Sequence, residues 1–387
     1  MKHRSALELI WRAGVERVGG HRAVINAIEN YDISKPDAII AIGKAATPMI
    51  EAALSFAGYS TNSLLVTKHE HVICHHKVNQ ERIEEYQNDG TLKVIEAGHP
   101  VPDQNSLVAG KELVEFVQSL ASDDHLLVLV SGGASALAEL LPDEMNLDDL
   151  QKITNRMLAQ GARIEEINAR RKEISCIKNG RLLAENPSKE ITVLAISDVE
   201  GDAIEVIGSG IGMTNKLPTG TNHQTYIIAS NEIARQASSK KAGMLGFEVC
   251  HNSESVYGDV NDAAKNIFNQ ISNGKNGIYI FGGEPTVVLP QNPGRGGRNQ
   301  QLALKLSKLI DGNNHIEFLV AGTDGSDGPY DAAGGFADGK LFRQNQGAQK
   351  ALDQANAGSY LEQCNHLFVT GPTGTNVMDL VIAIKDS

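Results

Sequence analysis

The sequence predicts an α/β protein of two domains. At 387 residues the chain is longer than a single hydrophobic core usually supports, so two cores are expected. Short apolar runs alternate with helix-length segments along most of the chain, and this alternation is typical of sheets whose strands are joined by helices. Glycine-rich loops follow several of the apolar runs, which is where open α/β sheets bind ligands.

The first half predicts a Rossmann-like domain with a mostly parallel sheet. The apolar run Asp37–Ile42 ends at Gly43, after which helical spacing begins, so it indicates a β–loop–α unit. Further strands are predicted at Leu64–Thr67, Leu92–Glu96, Leu126–Val130, Ile191–Ile196 and Tyr226–Ala229, with helices between them that include Ser106–Leu120 and Leu147–Gln160. Because helices connect these strands, we expect helices on both faces of the sheet.

The second half predicts an α/β domain with a mixed sheet. The strands Gly277–Phe281 and Thr286–Leu289 are too close in sequence for a crossover helix, so a hairpin is expected. The other predicted elements are strands at Ile316–Val320, Leu367–Thr370 and Leu380–Ile384 and a helix at Asn299–Ile310. A polar, turn-rich segment at 217–222 marks the boundary between domains 1–222 and 223–387.

The composition argues against several classes of function. The formal net charge of −12 argues against nucleic acid as a partner. No run approaches the roughly 20 apolar residues of a membrane span, and the amphipathic N-terminus does not read as a signal peptide. Four scattered cysteines without CxxC spacing indicate a reduced, cytoplasmic protein. A small-molecule substrate and a homodimer are both compatible with this composition.

Two glycine-rich loops of the first half have the composition of anion-binding sites. Gly43 and Lys44 follow the first strand and precede a helix, where an accessible backbone and a mobile cation favour a phosphate or carboxylate. A plain turn with a solvated lysine is the alternative. The segment Ser131–Ser135, with Gly132 and Gly133 inside it, could form a nest of backbone N–H groups with two hydroxyls added. It lacks the G-x-S-x-G pattern of a nucleophilic serine.

A third loop places two arginines beside three glycines at the start of a predicted helix. Arginine holds phosphate oxygens bidentately, and the helix N-terminus adds N–H donors. The residues of this candidate site are Arg295, Gly296, Gly297, Arg298 and Asn299. A basic surface turn is the alternative.

A fourth loop, Gly322–Pro329, is rich in aspartate. Asp324 and Asp327, with Asp331 just beyond, are separated by glycines and can carry Mg²⁺ and its waters. One of these carboxylates could instead accept a proton from a substrate hydroxyl. A solvated acidic turn is the alternative. The last loop of this kind ends in Asn376 and offers hydroxyls, an amide and backbone donors.

Together the loops supply the parts that phosphoryl transfer needs, namely anion donors, cationic clamps and carboxylates for a metal. The Walker A pattern is absent, because Ala38 stands where its first glycine should be. The segment Gly208–Gly212 has the wrong spacing for G-x-G-x-x-G. The sequence therefore predicts neither a standard P-loop kinase nor a standard Rossmann dehydrogenase.

Taken in order, these loops resemble the glycerate 2-kinase family with its C-terminal MOFRL-type domain. The matching stretches run from Ala41–Ala46 to Thr370–Asp379, almost from end to end. Between these two, the stretches that match are 96–103, 130–137, 167–172, 178–182, 197–202, 282–286, 294–300 and 322–333. So many ordered motifs make the resemblance far more specific than a single glycine-rich loop.

The resemblance implies an active site in the cleft between the domains, with ATP and Mg²⁺ as cosubstrate and metal and 2-phosphoglycerate as the product. Mapped by motif, it implies Lys44, Arg298 and Asp324 as the catalytic core. The Ser131–Ser135 segment and Asn376 would line the same cleft, and Asp324 with Asp327 would hold the metal.

Three departures from the family pattern leave alternatives open. They are Ala134, Glu173 and the segment Ser209–Gly212, and the last two bear on substrate specificity. The alternatives are a kinase for a related sugar acid, an NAD(P)H-dependent hydroxypyruvate reductase and a non-catalytic binder of sugar acids or nucleotides. The histidines and the cysteine of residues 69–76 resemble a metal-ligand cluster, although their loose spacing favours a polar surface segment.

Overall fold

The structure, a computed structural model, describes residues 2–72, 86–88, 90–159 and 164–387. It divides into two compact units. The first unit is Gly19–Ala229, and the second unit is Ser230–Ser387 together with the N-terminal segment that ends at Val18. The N-terminal helix, α1 (Arg4–Arg17), therefore belongs to the second unit. The sequence boundary, by contrast, assigns this segment to the first domain.

A fully parallel sheet of six strands forms the centre of the first unit, as the sequence predicts. Its strands are β1 (Ala38–Ile42), β2 (Asn62–Lys68), β3 (Leu92–Ala97), β4 (His125–Val130), β5 (Glu190–Ile196) and β6 (Asn222–Ala229). Its helices are α2 (Gly20–Tyr31), α3 (Ala46–Ala57), α4 (Gln104–Gln118), α5 (Ala134–Leu137), α6 (Leu147–Ala159), α7 (Ile164–Ile174) and α8 (Arg181–Ala184). Every residue of β1 and β4 is buried, as expected for central strands of a sheet covered on both faces.

The strand order of this sheet identifies where a ligand would bind. The order is β3-β2-β1-β4-β5-β6. Strands β2 and β3 therefore follow β1 towards one edge of the sheet, and strands β5 and β6 follow β4 towards the other. In such sheets the connections after the two central strands leave in opposite directions, which opens a crevice at their carboxyl ends. The loops after β1 and β4 are those that begin at Gly43 and Ser131.

The second unit contains the mixed sheet that the sequence predicts. Its strands are β7 (Val249–Glu254), β8 (Gly277–Gly283), β9 (Ile316–Gly322), β10 (Gly334–Asp338), β11 (Leu367–Phe368) and β12 (Asp379–Lys385), in the order β11-β10-β9-β12-β8-β7. Its remaining helices are α9 (Asn231–Met244), α10 (Val260–Ser272), α11 (Arg298–Leu309), α12 (Leu341–Gln344), α13 (Ala348–Asp353) and α14 (Ala357–Gln363). Only β7 and β8 pair in parallel. Of the helices that the structure describes, none has the length and apolar character to cross a membrane.

The predicted hairpin between Gly277–Phe281 and Thr286–Leu289 is wrong. Strand β8 pairs instead with β12 and β7, and Thr286 makes only an isolated bridge with Asp259. Prolines at positions 285 and 290 flank the segment and remove ladder donors, which opposes a strand there. Val288 and Leu289 are 85% and 60% exposed, so two of the apolar residues that suggest a strand lie on the surface.

The side chains of α1 explain why the N-terminal segment joins the second unit. Trp11 is buried, its indole N–H donates to the Ala321 carbonyl at 3.4 Å, and its ring meets Phe368 edge-on. A Cβ at Gly14 would lie 2.4 Å from the Ser238 hydroxyl of α9, so the two helices pack too closely for any larger residue. The apolar face of α1 therefore packs into the core of the second unit, whose other residues are far away in sequence.

Candidate active site

The loops after β1 and β4 are joined by backbone and side-chain hydrogen bonds. The Lys44 amide donates to the Gly132 carbonyl at 2.9 Å, and the Ala45 amide donates to the Ser131 hydroxyl at 3.1 Å. Gly43 has φ of +131°, and a Cβ there would lie 2.1 Å from the Ser131 hydroxyl oxygen. Ser131 is fully buried, and the hydrogen bond that its hydroxyl accepts from Ala45 links the two loops.

Lys44 and Gly133 are neighbours at this point of the first unit. Gly133 adopts φ of +85°, which favours glycine, and a Cβ there would lie 3.0 Å from His99 and 3.1 Å from the Lys44 side chain. Lys44 and His99 are both half-buried. The predicted anion loops and the histidine of the 96–103 motif thus come together at the carboxyl ends of the central strands.

Ser135 connects this loop to a segment that departs from the family pattern. Its hydroxyl lies 2.8 Å from that of Ser209, a buried residue with φ of +59°. The departure at Ser209–Gly212 therefore lies next to the predicted anion loop. Glu173 lies on the surface instead, where it pairs with Arg170 at 2.8 Å and its side chain is 66% exposed.

The register of the second sheet places the remaining predicted loops at one edge. Asp379, the first residue of β12, pairs with Gly283 at the end of β8 and with Gly322 at the end of β9. The loops that follow β8 and β9 and the loop that precedes β12 therefore emerge together. They contain Glu284, Asp324 and Asn376 respectively. The sheet topology thus gathers motifs that are almost 100 residues apart in sequence.

At this edge Arg298 forms a network with two carboxylates. Its Nε and Nη2 atoms donate to Asp379 at 2.6 and 3.2 Å, and its Nη1 atom lies 2.7 Å from Glu284. Asp379 is buried, whereas the side chains of Arg298 and Glu284 are 35% and 42% exposed. Burial alone would lower the pKa of the arginine, but the charge and hydrogen bonds of Asp379 raise it above its ordinary value. Arg298 is therefore a permanently charged group whose orientation is fixed from its buried side.

Asp327, which the sequence predicts as a metal ligand, contacts the start of α11. Its two oxygens accept the backbone N–H groups of Asn299 at 3.0 Å and Gln300 at 2.8 Å, so the carboxylate caps the N-terminus of α11. A Cβ at Gly297 would lie 2.2 Å from the Asp327 carboxyl carbon, which explains the glycine. Burial, with a contribution from the charge of Asp379, raises the pKa of Asp327 to about 7 against the effect of the two backbone hydrogen bonds.

The other residues of the predicted arginine loop also have structural partners. Asn299 is buried, and its amide donates to Asp379 at 2.9 Å. Gly296 packs against the backbone, since a Cβ there would lie 2.9 Å from the Gly358 nitrogen. Arg295 is exposed and its guanidinium lies 4.5 Å from the centre of the Tyr330 ring. Within the predicted arginine loop, Arg298 is thus the residue that presents a cation at the sheet edge.

Asp324 and Asn376 lie in two loops that are tied together. The Asp324 carboxylate accepts the amide and the hydroxyl of Ser326 at 2.9 and 3.0 Å and is half-buried. The Asp324 carbonyl accepts the Thr373 amide at 3.4 Å. The buried Thr323 hydroxyl donates to the Met378 carbonyl at 2.7 Å. The loop that carries Asn376 is therefore held beside the aspartate loop.

Comparison with known proteins agrees with these motifs. A family model described as a domain of unknown function (DUF4147) matches residues 6–245, and that of the MOFRL family matches residues 277–379. Glycerate 2-kinase from Pyrococcus horikoshii is 32% identical to the chain over 98% of this chain and 97% of its own length. D-glycerate 2-kinase from Thermotoga maritima is 31% identical with the same coverage. The crystal structure of glycerate kinase (EC 2.7.1.31) from Thermotoga maritima superposes with a TM-score of 0.84 at 30% identity, over 99% of this chain and 100% of that one.

The chain belongs to the glycerate kinase family. The resemblance on which the sequence interpretation rests is thereby confirmed. So is the α/β fold with one parallel and one mixed sheet.

The donor set of this glycerate kinase family member fits a metal that is held largely by phosphate oxygens. Within residues 2–72, 86–88, 90–159 and 164–387, no three His, Cys, Asp or Glu side chains are grouped to bind an ion. Mg²⁺ in phosphoryl-transfer sites typically uses one or two carboxylates with substrate phosphates and water. Asp324 can provide one such carboxylate. Each oxygen of Asp327 already accepts a backbone N–H group, and the assignment of Asp327 as a metal ligand stays a prediction.

The histidine and cysteine cluster shows no such grouping in its described part. His69 lies 2.8 Å from Asp103, the residue that caps α4. His71 is described, and its carbonyl accepts the Thr47 hydroxyl at 2.8 Å. Cys74, His75 and His76 lie outside the described residues.

Sequence reasoning missed the carboxylates that orient Arg298. Asp379 and Glu284 both lie inside stretches that match the family, but neither lies in one of the five loops from which the sequence predicts a site. A signal was nevertheless present, because Asp379 begins the apolar run of β12, where a buried charge requires a partner. The partner itself could not be predicted, since it depends on β12 lying between β8 and β9.

Proposed function

We propose that this chain transfers the γ-phosphoryl group of ATP to the 2-hydroxyl of D-glycerate, giving 2-phosphoglycerate. The observation that carries this proposal is the junction of the Lys44 and Ser131–Gly133 loops at the strand-order switch of a parallel sheet. It occurs in a chain whose relatives over nearly its full length carry the name glycerate 2-kinase. The ligand class follows from the loop chemistry, because a glycine-rich turn after a strand and a half-buried lysine favour phosphate.

Lys44 would supply positive charge to the transferring phosphoryl group. The transition state of phosphoryl transfer spreads negative charge over the equatorial oxygens, so a fixed cation lowers the barrier more than it strengthens substrate binding. The hydrogen bond from the Lys44 amide to Gly132 fixes the backbone from which this side chain extends.

Arg298 would clamp phosphate oxygens with its exposed side. Asp379 holds Nε and Nη2, while Nη1 faces the more exposed Glu284. A phosphate oxygen could replace Glu284 at Nη1 without disturbing the buried contact, since surface ion pairs exchange at little cost. Asp379 is thus a positioning residue in this proposal, and Arg298 is the residue that contacts the substrate.

Asp324 would accept the proton of the substrate hydroxyl or contribute a carboxylate to the Mg²⁺ that accompanies ATP. When bound, this cation would neutralise charge on the phosphates. Asn376, from the neighbouring loop, would add an amide to the same site. The predicted position of the active site, in an interdomain cleft, stays a prediction.

A coupled assay tests the proposal. Purified protein with ATP, MgCl₂ and D-glycerate should release ADP, and omission of D-glycerate should abolish the release. A parallel reaction with NADH and hydroxypyruvate tests the reductase alternative. Oxidation of NADH without any ADP release from the first mixture would overturn the kinase proposal. ADP release with related sugar acids but not with D-glycerate would keep the reaction and change the substrate.

A further inference from the structure

Arg171 is a partly buried arginine beside the predicted anion loop. It lies in the last turn of α7, and its Nη2 atom donates to the Ser135 carbonyl at 3.4 Å. The hydroxyl of the same serine contacts Ser209, and Gly133 of the same loop is a neighbour of Lys44. The guanidinium therefore lies against one end of a loop whose other end meets the proposed catalytic lysine.

The buried carboxylate whose charge acts on Arg171 already pairs with another cation. Glu139 and Lys178 are both fully buried, and Lys178 Nζ lies 2.5 Å from Glu139 Oε2. The other oxygen of Glu139 accepts the Leu140 amide at 3.1 Å. The cluster of Glu139, Lys178 and Arg171 thus contains two cations and one anion, so it has a surplus positive charge.

No carboxylate in the described part of the chain forms an ion pair with Arg171. Its neighbour Arg170 differs, since that side chain points to the surface and pairs with Glu173 at 2.8 Å. Burial lowers the pKa of Arg171, and the charge of Glu139 offsets only part of this effect. Withdrawing a cation from water is unfavourable unless an anion compensates it. We therefore expect a bound ligand to supply the anion that compensates the charge of Arg171.

We propose that Arg171 binds the carboxylate of the acceptor acid and so makes the site selective for hydroxy acids over uncharged polyols. This inference rests on the proposed kinase function, because it assigns the part of the acceptor that does not react. The planar guanidinium fork matches a carboxylate with two parallel hydrogen bonds, which orients the rest of the acceptor as well as holding it. Lys44 is left for the phosphates.

The test compares Arg171→Gln with Arg170→Gln, a matched control on the same helix that removes an exposed, paired arginine. For each variant, KM for D-glycerate, KM for ATP, kcat and the thermal midpoint are measured, with glycerol as an acceptor without a carboxylate. Arg171→Gln should raise KM for D-glycerate by about 30-fold or more and leave KM for ATP unchanged. Preference for D-glycerate over glycerol should fall by a similar factor. Arg171→Lys keeps the charge but not the guanidinium fork, so its KM for D-glycerate should lie between those of the wild type and Arg171→Gln. Arg170→Gln should have the wild-type KM values.

Three results would overturn the inference. They are an unchanged KM for D-glycerate in Arg171→Gln, a rise in KM for ATP alone, and a lower thermal midpoint with unaltered selectivity in both Arg171 variants. If the wild type releases no ADP with any acceptor, the kinase proposal fails separately. Calorimetric titration with D-glycerate then tests Arg171 directly. Binding that disappears in Arg171→Gln but persists in Arg170→Gln would support the carboxylate site, and equal or absent binding in all three proteins would overturn it.

Discussion

The buried carboxylate of Asp327 gives a quantitative test of how the arginine loop is built. Both of its oxygens accept N–H groups at the start of α11, yet burial raises its pKa from 3.8 to about 7. Asp327→Asn removes the titration and nearly preserves the size of the side chain. The comparison of the two proteins over a range of pH therefore isolates this one group.

The expected magnitude follows from proton linkage. Between pH 3.8 and about 7 the folded protein holds a proton on Asp327 that the unfolded chain has lost. The free energy of unfolding therefore decreases as pH rises through this window, by about 1.4 kcal/mol per unit. From pH 5 to pH 8 the wild type should lose roughly 2–3 kcal/mol relative to Asp327→Asn.

The fluorescence of Trp11 makes the unfolding measurement specific to the second unit. Trp11 is the single tryptophan of the chain and lies buried in the second unit, so its fluorescence follows unfolding of the unit that contains Asp327. Urea titrations at several pH values give the free energies. Asp331→Asn, in the same loop but exposed, controls for the removal of a charge. If the difference between wild type and Asp327→Asn stays constant or grows from pH 5 to pH 8, the carboxyl is ionised throughout and the burial argument is refuted.

Three further predictions concern the proposed chemistry. Lys44→Ala should lower kcat by at least about 100-fold at an unchanged thermal midpoint, because the lost charge acts on the transition state, and near-normal turnover would remove Lys44 from the mechanism. EDTA should abolish activity and Mg²⁺ or Mn²⁺ should restore it, whereas full activity after exhaustive chelation would contradict metal dependence. Asp379→Asn should lower the free energy of unfolding by about 3 kcal/mol and should also reduce kcat. This value is at the low end for a broken buried ion pair, because Arg298 is partly exposed. Normal activity in a destabilised variant would show that the Arg298–Asp379 pair is purely structural.

The sequence predicts most of the fold because its local signals agree with the tertiary structure. The apolar run of β1 is buried on both faces, and Gly43 directly after it adopts a conformation that favours glycine. Parallel strands present their carboxyl ends at one edge, so the sequence places the Lys44 and Ser131 loops at the same edge. Their junction depends on β1 and β4 being neighbours in the sheet. The sequence does not predict strand β7, because its residues are mostly polar and lie at the edge of the sheet, where no apolar run is needed.

The details of the candidate site depend on partners that are distant in sequence. The carboxylate of Asp327 occupies the N-terminus of α11, where the glycine and arginine pattern predicts a bound phosphate. The orientation of Arg298 depends on Asp379, and this pair exists only because β12 lies between β8 and β9. The composition of the loops therefore predicts which kinds of chemical group lie at this edge. Which side chains contact one another there depends on the strand order of the sheet.

The position of the transferred phosphoryl group on the product tests the central claim most directly. Wild-type protein is incubated with ATP, MgCl₂ and D-glycerate, and the product is followed by phosphorus NMR with coupling to protons retained. Transfer to the 2-hydroxyl predicts a phosphate ester resonance split into a doublet by the single proton on C2, appearing in step with ADP. A triplet from the two protons on C3 would contradict the proposed position of transfer, and ADP with inorganic phosphate alone would contradict glycerate phosphorylation itself.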